Sequence, residues 1–194
     1  IHNGIDFERF QKCEVAKEDV RRLIDIPEDR FVVGHIGRFS DMKNHLFLLD
    51  IIKVLRERNS SAFLLMIGEG PLEGKIKDKI KALKIEDSVK ILSKRSDIPQ
   101  LLKAMDVFVF PSLFEGLSVT VVEAQASGLR CIVSDGINKE TILTEDTVVV
   151  PLSKSAEEWA DVILDSTIKN YEYGNLKAFD MNREIDNLIQ LYGI

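Results

Sequence analysis

"DVFVFPSLFEGLSVTVVEAQASG", residues 106–128, decides the fold. Its opening "DVFVFPS", 106–112, is an apolar run of β-branched and aromatic residues with the length of a buried strand. Ser118 can then cap a helix running to about Ser127, and Gly128 stands where a helix C-terminus favours glycine. A strand, a glycine-bearing turn and a helix form the repeating unit of an open α/β sheet. Within the stretch, Glu123 is the only charged residue between Gly116 and Leu129, and Glu115 lies eight positions before it.

The same alternation extends in both directions. "FVVGHIG" (31–37), "FLLMIG" (63–68), "VKIL" (89–92), "CIVS" (131–134) and "TVVV" (147–150) read as further strands. Asn44 can cap a helix over about 45–57, whose apolar residues fall on most sides and so predict deep burial. Pro71 precedes an amphipathic segment over 72–84, and Pro99 opens a short helix near 98–104. Helices near 155–168 and 182–192 finish the chain. The pattern predicts an α/β fold, a doubly wound, mostly parallel sheet with helices on both faces, in one domain over residues 1–194. In such sheets ligands sit beyond the carboxyl ends of the strands.

Composition narrows the function. A net charge of −6 argues against nucleic-acid binding over the whole surface. Lys75, Lys77, Lys79, Lys81 and Lys84 accompany Leu72, Ile76, Ile80 and Leu83 at helical spacing, so they read as the wet side of one helix. No apolar run has the ~18 residues of a membrane span, and no signal-peptide pattern opens the chain. Cys13 and Cys131 lack metal spacing and fit free thiols in a reducing compartment. His35 lies within a strand and reads as core; His2 and His45 have no assignment. No P-loop, HExxH, GxSxG or Asp-x-Asp pair occurs. "GEGPLEG", 68–74, brings its third glycine one residue too late for a dinucleotide fingerprint, and Glu69 would repel a pyrophosphate. It reads as a tight strand-to-helix turn.

The strand ends carry the candidate chemistry. After "FVVGHIG", Arg38 and Lys43 flank a loop; a guanidinium fork and an ammonium can together neutralise a diphosphate. Around Gly116 the start of a helix offers N–H groups and a positive end suited to phosphate. Carboxylates compete poorly for phosphate but match sugar hydroxyls. Glu123, more than a turn into its helix, could meet a ribose beside a diphosphate held at the helix start. Taken singly, Glu115 and Glu123 also fit ordinary surface carboxylates. Arg95, in "SKRSDIP", could line a base or belong to a plain polar loop.

These residues resemble the C-terminal, donor-binding half of the GT-B glycosyltransferases of family GT4, over nearly the whole chain. "IHNGIDFERF", "GHIGRFSDMKNHLFLLD", "LLMIGEGPLEGKI" and the run from "VKILSKRSDIP" to "FEGLSVTVVEAQASG" stand in the family's order, with Glu115 and Glu123 as its E-x7-E motif. The resemblance implies a Rossmann-like half of a GT-B fold. It implies that Arg38 and Lys43 hold the donor's diphosphate and that Glu115 faces the transferred sugar. Gly37, Gly116, Leu117 and Ser118 would contact sugar and phosphate, Glu123 the ribose hydroxyls, and Arg95 the base. It further implies retaining, metal-independent transfer from a UDP-sugar, without cofactor, to a saccharide or lipid-linked saccharide. "DGINKETI" departs from the family's double glycine and, with "SAEEWADVIL", resembles the bacterial exopolysaccharide and capsule branch. By the same resemblance an N-terminal acceptor domain is absent, the last helix crosses back toward it, and the isolated chain binds nucleotide weakly with little or no turnover. Membrane contact would run through that other half, from the cytoplasm or the inner face of the membrane. A related epimerase, a sugar-phosphate synthase and a non-catalytic nucleotide-sugar module are the rival readings.

Overall fold

The computed structural model describes residues 6–165. Six strands, β1 (Phe31–Ile36), β2 (Ala62–Ile67), β3 (Val89–Leu92), β4 (Val107–Phe110), β5 (Cys131–Ser134) and β6 (Thr147–Val150), form one sheet in the order β3-β2-β1-β4-β5-β6. Every strand pairing is parallel. Among the described residues the expectation of a mostly parallel sheet is thus met without an antiparallel edge. Connecting helices are α1 (Phe7–Gln11), α2 (Lys17–Leu23), α3 (His45–Arg58), α4 (Glu73–Leu83), α5 (Ile98–Lys103), α6 (Val119–Ala126) and α7 (Ala156–Leu164).

The period of two along the strands builds two cores. Val32, Ile36, Leu65, Phe108 and Val133 join α1, α2, α5 and α6 on one face. Val33, Leu64, Met66, Val109 and Ile132 join α3, α4 and α7 on the other. In α3, Leu48, Leu49, Ile51, Ile52 and Leu55 are all buried, as apolar residues on most sides of that helix predicted. Trp159 of α7 closes the second core, edge-on to Phe47 at 5.9 Å.

Three local features differ from the sequence reading. First, α1 and α2 were not anticipated. Second, Asn44 and Ser118 occupy the N-cap positions of α3 and α6, but neither side chain makes a capping bond. Asn44 instead adopts a left-handed conformation, φ 55° and ψ 40°, which links the 3₁₀ turn Asp41–Lys43 to α3. Third, the fourth strand is shorter than 106–112. Asp106 turns away to accept bonds from the Val32 amide (2.6 Å), Arg21 (2.7 Å) and Lys17 (2.8 Å), and Pro111 brings no N–H to the ladder. The helix read near 155–168 is also shorter, ending at Leu164 with Asp165 extended as its C-cap; the anticipated helix near 182–192 and His2 lie outside the described residues.

Candidate functional site: a cleft at the switch point of the sheet

The chain leaves β1 toward β2 on one side, while β4 continues the sheet on the other. This reversal opens a crevice at the carboxyl ends of β1 and β4, where ligands of such sheets sit. The loop after β1 forms its first wall. The Gly37 amide donates to the Ile67 carbonyl at 3.0 Å and the Phe39 amide to the Glu69 carbonyl at 2.9 Å; the Leu72 amide returns a bond to the Phe39 carbonyl at 3.1 Å. Gly68 and Gly70 are required here because a Cβ would stand 2.1 Å from the Gly37 carbonyl oxygen and 2.5 Å from that of Phe39. "GEG" is therefore a tight turn, as read, and its glycines serve backbone-to-backbone packing.

Above this scaffold lies a cavity of about 820 Å³. Gly37 and Arg38 line it from the first loop, Glu69 and Pro71 from the second, Lys94 and Arg95 from the third, and Thr120 and Glu123 from α6, with Ile36, Ile67 and Ile98 as apolar surface. Among the described residues the Arg38 guanidinium forms no ion pair. Arg95 is pinned instead: Nε and Nη2 donate to Asp97 at 2.8 and 2.6 Å. Its fork is thereby occupied, while the side chain still lines the cavity. Glu123 projects from α6, and burial pushes its carboxyl up to about 7, with the charge of Arg9 pulling the other way.

Beside the cavity, and not in its lining, sits a second group. Lys43 Nζ meets Glu115 Oε1 at 2.5 Å, with the side chains 18% and 15% exposed, so solvent screens the pair little. Ser112 Oγ donates to the same carboxylate oxygen at 3.0 Å, and the ammonium stands 4.7 Å over the Phe110 ring. The two cations expected on one diphosphate are thus in different states, Arg38 open to the cavity and Lys43 held by Glu115. The Lys43 stem connects them, passing 3.5 Å from where a Gly37 Cβ would stand.

The loops holding Glu115 are cross-tied. The Glu115 amide donates to the Gly136 carbonyl at 2.9 Å, and the Asn138 amide to the Glu115 carbonyl at 3.1 Å. Gly136, the single glycine of "DGINKETI", is needed because a Cβ would lie 2.4 Å from the Leu113 carbonyl oxygen. The Leu113 amide and Ser112 Oγ both reach the Met42 carbonyl at 2.8 Å, fixing the Lys43 turn to the end of β4. Gly116 has no protein atom within 4 Å of a Cβ position, so the chain's own packing does not demand glycine there. Leu117 packs on the core, and Ser118 is buried with its amide on Thr141 Oγ1 at 3.4 Å. Neither Gly116, Leu117 nor Ser118 lines the cavity.

Two features escaped the sequence reading. Gln125, buried at the next-to-last position of α6, accepts from the Leu143 (2.7 Å) and Thr144 (3.0 Å) amides and from Thr147 Oγ1 (3.0 Å), and donates to the Thr141 carbonyl at 2.7 Å. It fixes the segment leading to β6. His35 and His45 form an edge-to-face pair, centroids 4.7 Å apart, beneath the Lys43 loop. His35 was expected in the core and is there, with Nδ1 on the Val109 carbonyl at 2.9 Å. His45 is fully buried. Burial lowers His35 well below its ordinary value and takes His45 down to about 4, with the Lys43 charge adding to both.

A parallel sheet in this strand order, with a cationic and acidic cleft at its reversal, defines a nucleotide-type α/β domain. Residues 16–177 match the family model of glycosyl transferases group 1, and the chain belongs to that family. It is 40% identical to the putative glycosyltransferase EpsF of Bacillus subtilis (strain 168), over 84% of this chain and 43% of the relative. It is 29% identical to the UDP-Gal:alpha-D-GlcNAc-diphosphoundecaprenol alpha-1,3-galactosyltransferase of Escherichia coli, over 99% of this chain and 53% of the relative. The chain therefore spans about half the length of these relatives. Among solved structures, Anabaena Alr3699/HepE in complex with UDP and glucose has the same fold, with a TM-score of 0.78 at 22% identity over 98% of this chain and 56% of that one.

Proposed function

We propose that this chain is the donor-binding half of a retaining glycosyltransferase that moves a sugar from a UDP-sugar to a saccharide or lipid-linked saccharide acceptor in polysaccharide synthesis. The observation that carries the proposal is the cavity itself, with Arg38 on one wall and Glu123 on another. The diphosphate lies at Arg38 and the ribose hydroxyls at Glu123, while the base enters between Pro71, Ile98 and Arg95. As the glycosidic bond breaks, its electron pair leaves with the β-phosphate, and charge grows there. Arg38 meets that charge directly. Lys43, whose ammonium has three donors, shares itself between the phosphate and Glu115. Glu115, held by Lys43 and Ser112, faces the sugar at the rim.

The protein's contribution is a preorganised field, so neither a nucleophilic side chain nor a metal is assigned. The E. coli relative's name, with its diphosphoundecaprenol-linked acceptor, supports a lipid-linked saccharide as the acceptor. No helix among the described residues is long and apolar enough to cross a membrane.

The test is calorimetric titration with UDP-, GDP- and ADP-sugars. UDP-sugars should bind, EDTA should leave affinity unchanged, and Glu123→Ala should weaken it. In the full-length enzyme, Arg38→Ala and Lys43→Ala should each lower turnover roughly 10²–10³-fold with the fold intact. Wild-type turnover in both variants would refute the assignment.

A further inference from the structure

Arg9 stands at no strand end, yet it reaches a loop that flanks the cleft. Phe7 and Phe10 bury α1 in the core shared with α6. They carry the intervening Arg9 to the loop after β3, where Nη2 donates to the Ser96 carbonyl at 2.7 Å. Ser96 stands between Arg95, which lines the cavity, and Asp97, which holds Arg95's fork. The same guanidinium acts on Glu123 of α6. The first helix thus packs on α6, which carries Glu123, while its Arg9 bonds the loop that carries Arg95.

We propose that Arg9 is a positioning residue of the donor cavity: it holds the Arg95 loop at the cleft and faces Glu123 with a positive charge that keeps its carboxylate ready for hydroxyl donors. The role of Glu123 toward a ribose rests on the donor reading above; the tie to Ser96 and the charge on Glu123 do not. Other charges surround Glu123. Arg38, Glu69, Lys94 and Arg95 line the same cavity. The 3₁₀ turn Lys139–Thr141, packed on α6, brings Lys139 and Glu140; α1 brings Glu8; β4 and β5 bring only the Cys131 thiol.

The experiment compares the wild-type protein with Arg9→Gln and Arg9→Lys. Because Arg9 is exposed while Phe7 and Phe10 supply the packing, both variants fold. Carbon-13 detection of the Glu123 carboxyl should place its wild-type midpoint near 7 and find it higher in Arg9→Gln. Amide exchange over residues 93–98 should quicken in Arg9→Gln. Arg9→Lys should return the midpoint toward wild type. UDP affinity at neutral pH should fall roughly two- to five-fold in Arg9→Gln, the scale of an exposed charged contact. A midpoint and exchange rates equal to wild type in Arg9→Gln overturn the proposal whatever UDP does. A shifted midpoint in a protein that does not bind UDP leaves Arg9 its place and overturns the donor reading instead.

Discussion

Asn44 marks how far a single position can be read. Its place just ahead of α3 was legible as a cap, because asparagine is enriched there. What the sequence could not carry was its backbone: φ 55° puts it in the left-handed region, where asparagine and glycine are tolerated and branched side chains are not. Asn44→Gly should therefore change stability by no more than about 0.5 kcal/mol, while Asn44→Val should cost roughly 1–2 kcal/mol. Urea unfolding of the two variants checks this: a valine variant as stable as the glycine one would mean that the left-handed backbone does not set the preference at residue 44. The neighbouring Lys43 gives the same lesson for charge. Residue type and strand-end position flagged Arg38, Lys43, Glu115 and Glu123 individually, because apolar strands leave few charges to choose from. The pairing of Lys43 with Glu115, 72 residues away, depends on two loops meeting over β4 and has no local signal.

Elements were legible where burial imposes a period and illegible where long-range polar bonds replace it. All six strands and the five later described helices stand where apolar runs and punctuating Gly and Pro put them. α2, "KEDVRRL", offers one buried apolar residue, Val20, and so carries no stripe. It is fixed by Arg21, 4% exposed, whose guanidinium reaches the Ala104 (2.9 Å), Glu28 (2.8 Å) and Arg30 (3.0 Å) carbonyls and Asp106. Removing that guanidinium strands several buried acceptors at once. Arg21→Met should cost about 3–5 kcal/mol, whereas Lys17→Ala, on the 41%-exposed partner of the same aspartate, should cost at most about 1 kcal/mol. Equal costs for the two in chemical denaturation would mean that α2 is held by packing alone. Gln125 belongs with Arg21: a buried amide within an otherwise ordinary helix looks, in sequence, like any solvent-facing glutamine.

For the molecule as a whole, two opposed titrations set the response to pH. Burial holds His45 near 4, below the usual 6.5, against an opposing hydrogen bond to the Ser40 backbone. The folded state binds its proton less readily than the unfolded chain, so stability is complete above pH 6.5 and is lost as pH falls toward 4. His35, lowered well below its usual range, adds to the same limb. Glu123 runs the other way. Its carboxyl is raised from 4.5 to about 7, so the stability it contributes is complete below pH 4.5 and declines as pH rises through 7. Solvent reaches part of Glu123 and weakens its limb, whereas His35 and His45 are fully buried and act together; His45 alone is expected to give about 2 kcal/mol between pH 7.5 and 5. The histidine limb therefore wins, and the melting temperature should fall on acidification. His45→Leu should flatten that fall, and Glu123→Gln should steepen it by removing the opposing limb. Calorimetric melting curves of the three proteins at pH 5 and 7.5 decide the matter: a wild-type protein that melts higher at pH 5, or a His45→Leu curve parallel to wild type, would mean that the buried pair beneath the Lys43 loop is not what limits the fold in acid, and a Glu123→Gln curve parallel to wild type would remove the opposing limb.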